Sequence, residues 1–200
     1  MTMVERELTC VEKYPEYVRV GRKVLPEARW IEADVTEVLS LGLGQFDSAV
    51  SNPPFGKVRR AGKGPRYRGP LFEYHVIDIA AHLAPLGAHI VPQQSAPFRY
   101  SGVPKSSHET TPDYERFARE TGMNLWFNHG VDTSEYRSEW HGVSPAVELV
   151  LHNVHEDRLE REAAETEAAE LTARAAVVQA EAGAAAVPDA FAMIAGALAE

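Results

Sequence analysis

The order in which short apolar runs, acidic residues and helical stretches follow one another constrains this chain more than any other feature. Leu8 to Val11 is a short apolar run followed by Glu12, and Pro15 opens a stretch, Glu16 to Leu25, with helical spacing. The same order returns at Arg29 to Val35, which alternates through Ile31, Ala33 and Val35 around Asp34 and leads into a short helical stretch, Thr36 to Leu41. A third apolar strand, Phe46 to Ser51, stops at Asn52-Pro53-Pro54-Phe55-Gly56, because proline cannot donate to a sheet ladder. Further on, the pattern predicts a helix at Leu71 to Leu83, a strand at Ala88 to Val91 and a helix at Asp113 to Thr121. Two closing strands are expected at Leu125-Trp126-Phe127 and Ala146 to Leu151. Such alternation predicts an α/β domain with a parallel-rich sheet covered on both faces.

From His155 onward the composition turns to Ala and Glu, which predicts one long helix as far as Gly183 and, after Pro188 with Asp189 as cap, a short amphipathic helix through Phe191, Ile194 and Leu198. We therefore expect a domain over residues 1–154 and a helical tail over 155–200. The tail's thin apolar stripe (Leu159, Ala163, Leu171, Ala175, Val178, Ala182) predicts a largely solvated helix that docks loosely or pairs with a second subunit. At 200 residues and 44% hydrophobic composition, the chain suits one domain with such an appendage. Its net charge of -9 argues against nonspecific coating of nucleic acid, although a local basic patch is compatible with an acidic body. A single cysteine, Cys10, excludes an internal disulfide and a CxxC zinc site. No stretch approaches the roughly 20 apolar residues needed to span a bilayer, so a cytoplasmic protein without a membrane partner is expected.

The Asn52-Pro53-Pro54-Phe55 segment carries the chemistry. An exocyclic amino group on a base is a poor nucleophile, because its lone pair is delocalised into the ring. The side-chain oxygen of Asn52 and the backbone carbonyl of Pro53 each offer an acceptor for one of its N–H bonds, which turns the lone pair toward a methyl donor. Pro53 and Pro54 fix the backbone that aims them, and Phe55 offers a ring face for a planar base swung out of its stack.

This tetrapeptide, placed after an apolar strand, resembles motif IV of the class I S-adenosylmethionine-dependent N6-adenine methyltransferases. Related families use similar motifs for guanine N2 and for protein glutamine, so the resemblance implies a planar amino acceptor more firmly than adenine. It implies a Rossmann-like sheet and S-adenosylmethionine as cofactor. In that family an acid after the second strand takes the ribose hydroxyls and one after the third reads the cofactor's adenine. Glu12 and Asp34 match these positions, with Ile31 and Val35 flanking the adenine and Asn52 beside the donor. Carboxylates at strand C-terminal edges are suited to hydroxyl protons in any open α/β sheet. The resemblance covers roughly Leu8 to His152. The family's first strand and glycine-rich loop have no counterpart, since that unit needs about 30 residues and the stretch before Leu8 is far shorter. The expected fold is therefore an N-terminally truncated methyltransferase sheet with a C-terminal helical tail. Gly42-Leu43-Gly44 follows a helix and precedes a strand, so it cannot replace the loop. Two alternatives stay open: an inactive relative that binds nucleic acid or a partner protein, and a missing unit supplied by another chain or by an upstream segment.

Lys57, Arg59, Arg60, Lys63, Arg66 and Arg68 lie in a glycine-rich segment directly after the tetrapeptide, with no acid before Glu73. A mobile loop is expected there, placed to meet the phosphates of DNA or RNA, with Tyr67 free to stack on a base. His75, Asp78 and His82 share a helical face, but their spacing over two turns is too loose for a metal site, and none is expected. His129, His141, His152 and His155 show no pattern, and no Ser-His-Asp or Cys-His arrangement is visible.

Overall fold

A computed structural model describes residues 7–128, 130–139, 141–142 and 144–197, the last eighteen of them as backbone alone. The chain divides into two compact units, Met1–His155 and Glu156–Glu200. The first is mixed α/β. It opens with strand β1 (Thr9–Glu12), helix α1 (Pro15–Val24) and strand β2 (Arg29–Glu32), and β1 and β2 pair in parallel with Glu12 opposite Glu32. Pro15 sits in the first turn of α1, where its missing N–H costs nothing, and Arg22 and Lys23 lie in the last turn, where cations oppose the helix dipole. Gly21 is required because a Cβ there would run into the Trp30 ring of β2.

A 3-10 helix (Val35–Leu41) follows, ended by Gly42 at φ +62°, and leads to β3 (Ser48–Ser51). Next come α2 (Phe72–Leu83) and β4 (Leu86–Pro92), which pairs in parallel with β3. A small hairpin, β5 (Phe98–Arg99) with β6 (Ser107–His108), precedes α3 (Pro112–Thr121). The Thr111 hydroxyl caps α3 by accepting the Tyr114 N–H, and Gly122 in the left-handed region ends it. Strand β7 (Val147–Asn153) returns antiparallel to β4.

The expected continuous sheet is not what forms. Strands β1–β2, β3–β4–β7 and β5–β6 make three small sheets, and the middle one is mixed. Among the described residues no strand lies against the other edge of β1 or β3, so the two parallel pairs share no ladder. The expected strand at Leu125-Trp126-Phe127 reduces to one antiparallel bridge, Trp126 to Leu151. Covering is also one-sided. His89, Val91, Glu148, Val150 and His152 are buried on one face of the middle sheet, against a core that includes Tyr67, Tyr74, Ile77, Phe117 and Leu125. On the other face Ala88, Ile90, Leu149 and Leu151 are half-buried and Val50 is 84% exposed.

The second unit is one helix, α4, which begins just before it at Val154 and runs to Ala197. The expected interruption after Gly183 and at Pro188 is absent. The alanines around both positions have the highest helix propensity of any residue, which offsets the local cost of a glycine and a proline. The described side chains of α4 from Arg158 to Gln179 are exposed. No helix among the described residues is long and apolar enough to cross a membrane.

Candidate functional site

Strand β3 ends at Ser51, and the next four residues leave the sheet. Asn52 is exposed, and its side chain makes no hydrogen bond to a described residue; Pro53 is buried, Pro54 exposed and Phe55 half-buried. Gly56, at φ +78°, turns the chain away in a conformation that side chains disfavour. Its N–H donates to Glu73 Oε2 at 2.8 Å, and its carbonyl accepts the Phe72 N–H at 2.9 Å. Both partners lie in the first turn of α2. Glu73 is fully buried and also accepts the Ser95 hydroxyl at 2.8 Å.

The residue before Asn52 is tied down as well. Ser51 Oγ lies 2.7 Å from His89 Nδ1, His89 Nε2 lies 2.8 Å from His152 Nδ1, and His152 Nε2 lies 3.1 Å from the Ala84 carbonyl. Burial lowers the His152 pKa, and burial together with its histidine neighbour lowers that of His89 to about 3, so both rings are neutral. A carbonyl only accepts, which sets every proton in the chain: His152 donates to Ala84, His89 to His152, and Ser51 to His89. Sequence reasoning missed Ser51, Glu73, His89, Ser95 and His152. No local pattern marks them, because each is defined by a partner distant in sequence.

The two acids stand at the C-terminal ends of β1 and β2. Glu12 is half-buried and its Oε1 accepts the Tyr14 N–H at 2.8 Å, which leaves Oε2 without a hydrogen bond among the described residues. Asp34 is more heavily engaged. Its Oδ1 accepts the Thr36 N–H and hydroxyl at 2.9 and 2.8 Å, and its Oδ2 meets Lys13 Nζ at 2.9 Å. Burial would raise the Asp34 pKa, but the Thr36 donors and the Lys13 ammonium outweigh it and hold the carboxyl below its ordinary range. Asp34 thus caps the 3-10 helix that Val35 opens, and Ile31 and Val35 are half-buried beside it.

The basic segment differs from the expected mobile loop. His75 Nδ1 accepts the Gly64 N–H at 2.9 Å, and its Nε2 donates to the Gly69 carbonyl at 3.0 Å. Buried Asp78 accepts the N–H groups of Arg66 and Tyr67 and pairs with Arg66 Nε at 2.8 Å. Arg66 also donates to the Thr121 carbonyl, Arg60 to the carbonyls of Gly69 and Pro70, and Arg68 to those of Gly64, Pro65 and Tyr67. These guanidiniums satisfy the carbonyls of an irregular segment that forms no ladder of its own. Tyr67 is fully buried, with its ring edge-on to Tyr74 and Phe117, so it is not available to stack on a base. Lys57, Arg59 and Lys63 are exposed and appear in no hydrogen bond or ion pair among the described residues.

His82 Nδ1 faces the backbone carbonyl of Asp78 at 2.8 Å and lies 3.8 Å from its Oδ1, whereas His75 is engaged with Gly64 and Gly69. No group of three or more His, Cys, Asp or Glu is placed to hold a metal ion among the described residues. S-adenosylmethionine, the cofactor the tetrapeptide implies, finds a partial fit. Glu12 Oε2 is open to a ribose hydroxyl. Asp34 Oδ1 is filled by the two Thr36 donors, and its Oδ2 accepts from Lys13 alone and keeps one lone pair.

No family model and no curated protein matches this chain. A crystal structure described as Thermoplasma acidophilum 1320 is similar over 73% of this chain and 64% of its own, at 15% identity and a TM-score of 0.37. This chain therefore spans less than two thirds of that one.

Proposed function

We propose that this protein transfers a methyl group from S-adenosylmethionine to an exocyclic amino group, with adenine N6 of DNA or RNA the acceptor that suits the site best. Asn52 carries the reading: a free, exposed amide at the end of a parallel strand, followed by a proline-stiffened loop anchored at Gly56. On this reading β1–β2 and β3–β4–β7 correspond to two separate portions of a Rossmann-like arrangement, which no ladder joins among the described residues. The donor, when bound, supplies an electrophilic methyl. Asn52 Oδ1 and the Pro53 carbonyl accept the two amino N–H bonds and localise the lone pair, while Phe55 supports the base. Glu12 Oε2 accepts from the cofactor's ribose. No strong general base is required, because the proton leaves after the nitrogen has become cationic, and the rate comes from positioning. Lys57, Arg59 and Lys63 are the cations available to the nucleic-acid backbone.

A second reading is a non-catalytic relative that binds nucleic acid or a protein partner. The engagement of Asp34 with Thr36 and Lys13 as a helix cap and ion pair favours it. Calorimetric titration with S-adenosylmethionine and S-adenosylhomocysteine, followed by labelled-methyl transfer to DNA and RNA, separates the two. Transfer that disappears in Asn52→Ala supports the enzyme. Folded protein that binds neither compound at millimolar concentration, or transfer undiminished in Asn52→Ala, overturns it.

A further inference from the structure

The tetrapeptide is bracketed by two buried polar networks that share no residue. Upstream, the Ser51–His89–His152–Ala84 chain crosses from β3 through β4 to β7 and ends on the carbonyl that follows α2. Its rings stack with centroids 5.0 Å apart and planes 16° from parallel. Gly87 makes room for them, since a Cβ there would lie 2.7 Å from His89 Nε2 and run into the His152 ring. Downstream, Glu73 takes the Gly56 N–H on one oxygen and the Ser95 hydroxyl on the other, and the Tyr74 hydroxyl donates to the Ser95 carbonyl at 2.9 Å. Glu73 belongs to no ion pair among the described residues; its carboxyl group sits in the first turn of α2, where the helix dipole favours an acidic side chain.

Burying a carboxylate and two imidazoles is costlier than filling the same space with aliphatic side chains. A fully satisfied polar network gives in return a single rigid geometry. Here both networks end on the residues that flank Asn52–Phe55, and neither touches Asn52, whose amide stays open. The geometry points to Glu73 and the His89–His152 pair as positioning residues that hold Gly56 and Ser51, so that Asn52 Oδ1 and the Pro53 carbonyl keep one mutual orientation before a target arrives. Acceptors fixed in advance need no reorganisation when charge develops on the bound amino group. The inference rests on the proposed methyl transfer only for the identity of that target.

Amide hydrogen exchange at Gly56 tests it, in the full chain and in Glu73→Ala, Glu73→Gln and Ser95→Ala. Glutamine keeps an oxygen for the Gly56 N–H and an amide for Ser95. Loss of a bond to a charged group is expected to speed Gly56 exchange by about tenfold or more in Glu73→Ala, with Val91 and Phe117 unchanged and Glu73→Gln within about threefold of the parent. In labelled-methyl transfer, Ser51→Ala and Glu73→Ala are expected to lower kcat about tenfold at unchanged KM, with Glu73→Gln recovering most of it. Unchanged Gly56 exchange in Glu73→Ala overturns the proposal, as does acceleration spread equally to Val91 and Phe117. If Glu73→Ala does not fold, Ser95→Ala, which removes one donor to the same carboxylate, is held to the same criteria at Gly56. Localised Gly56 acceleration without methyl transfer in any form, the parent included, leaves the bracketing intact and removes the methyltransferase reading.

Discussion

Ser51 Oγ donates to His89 Nδ1 over 2.7 Å, which couples the residue before Asn52 to the buried interior of the middle sheet. Because His89 gives its one ring proton to His152, its Nδ1 can only accept, and the hydroxyl of Ser51 has one orientation only.

Acid should therefore loosen the site and the fold together. An unfolded histidine titrates near 6.5, whereas burial, and then its neighbour His152, depress His89 to about 3. The unfolded chain binds the proton first as pH falls. Stability from the neutral ring is complete above pH 6.5 and declines from there toward pH 3, by up to about 1.4 kcal/mol per pH unit for His89. Urea midpoints at pH 7.5 and pH 5 should show the decline, and His89→Gln should flatten it. An equal slope in that variant would assign the acid sensitivity elsewhere.

Asn52→Ala should abolish methyl transfer and leave the fold alone. The side chain is exposed and holds no described partner, so its removal should change unfolding free energy by no more than about 0.5 kcal/mol. Labelled-methyl transfer and a denaturation curve on the same preparation check both halves.

The cations divide into two classes with different expected behaviour. Replacing Lys57, Arg59 and Lys63 with Ser should weaken nucleic-acid binding and flatten its salt dependence without changing the melting temperature. Asp78→Ala should instead cost about 3–5 kcal/mol of stability, because Asp78 is buried and its loss strands the N–H groups of Arg66 and Tyr67. Fluorescence anisotropy at several salt concentrations reads the first, and urea denaturation the second.

Gly87→Ala should destabilise by about 1–3 kcal/mol through overpacking, since the added methyl meets both stacked imidazoles. Denaturant midpoints check the size, and the histidine ring resonances in an NMR spectrum should shift in the same variant.

What the sequence determined by itself was local. Proline placement and apolar periodicity located α1, α2, α3 and the strand before Asn52 to within a few residues, because such signals act over neighbouring positions. The open tetrapeptide at the end of β3 followed from the same logic. Tertiary structure decided whatever depended on distant partners. His89 meets His152 across 63 residues of sequence, and Arg66 reaches the Thr121 carbonyl across 55, so neither role has a local signature. The division into separate small sheets was equally hidden, since pattern identifies a strand while backbone pairing decides its neighbours. Burial sorted the charges last: Arg60 and Arg66 satisfy carbonyls of their own chain, while Lys57, Arg59 and Lys63 stay in solvent. A cation takes the nearest unsatisfied acceptor, and only the packed chain sets which acceptor that is.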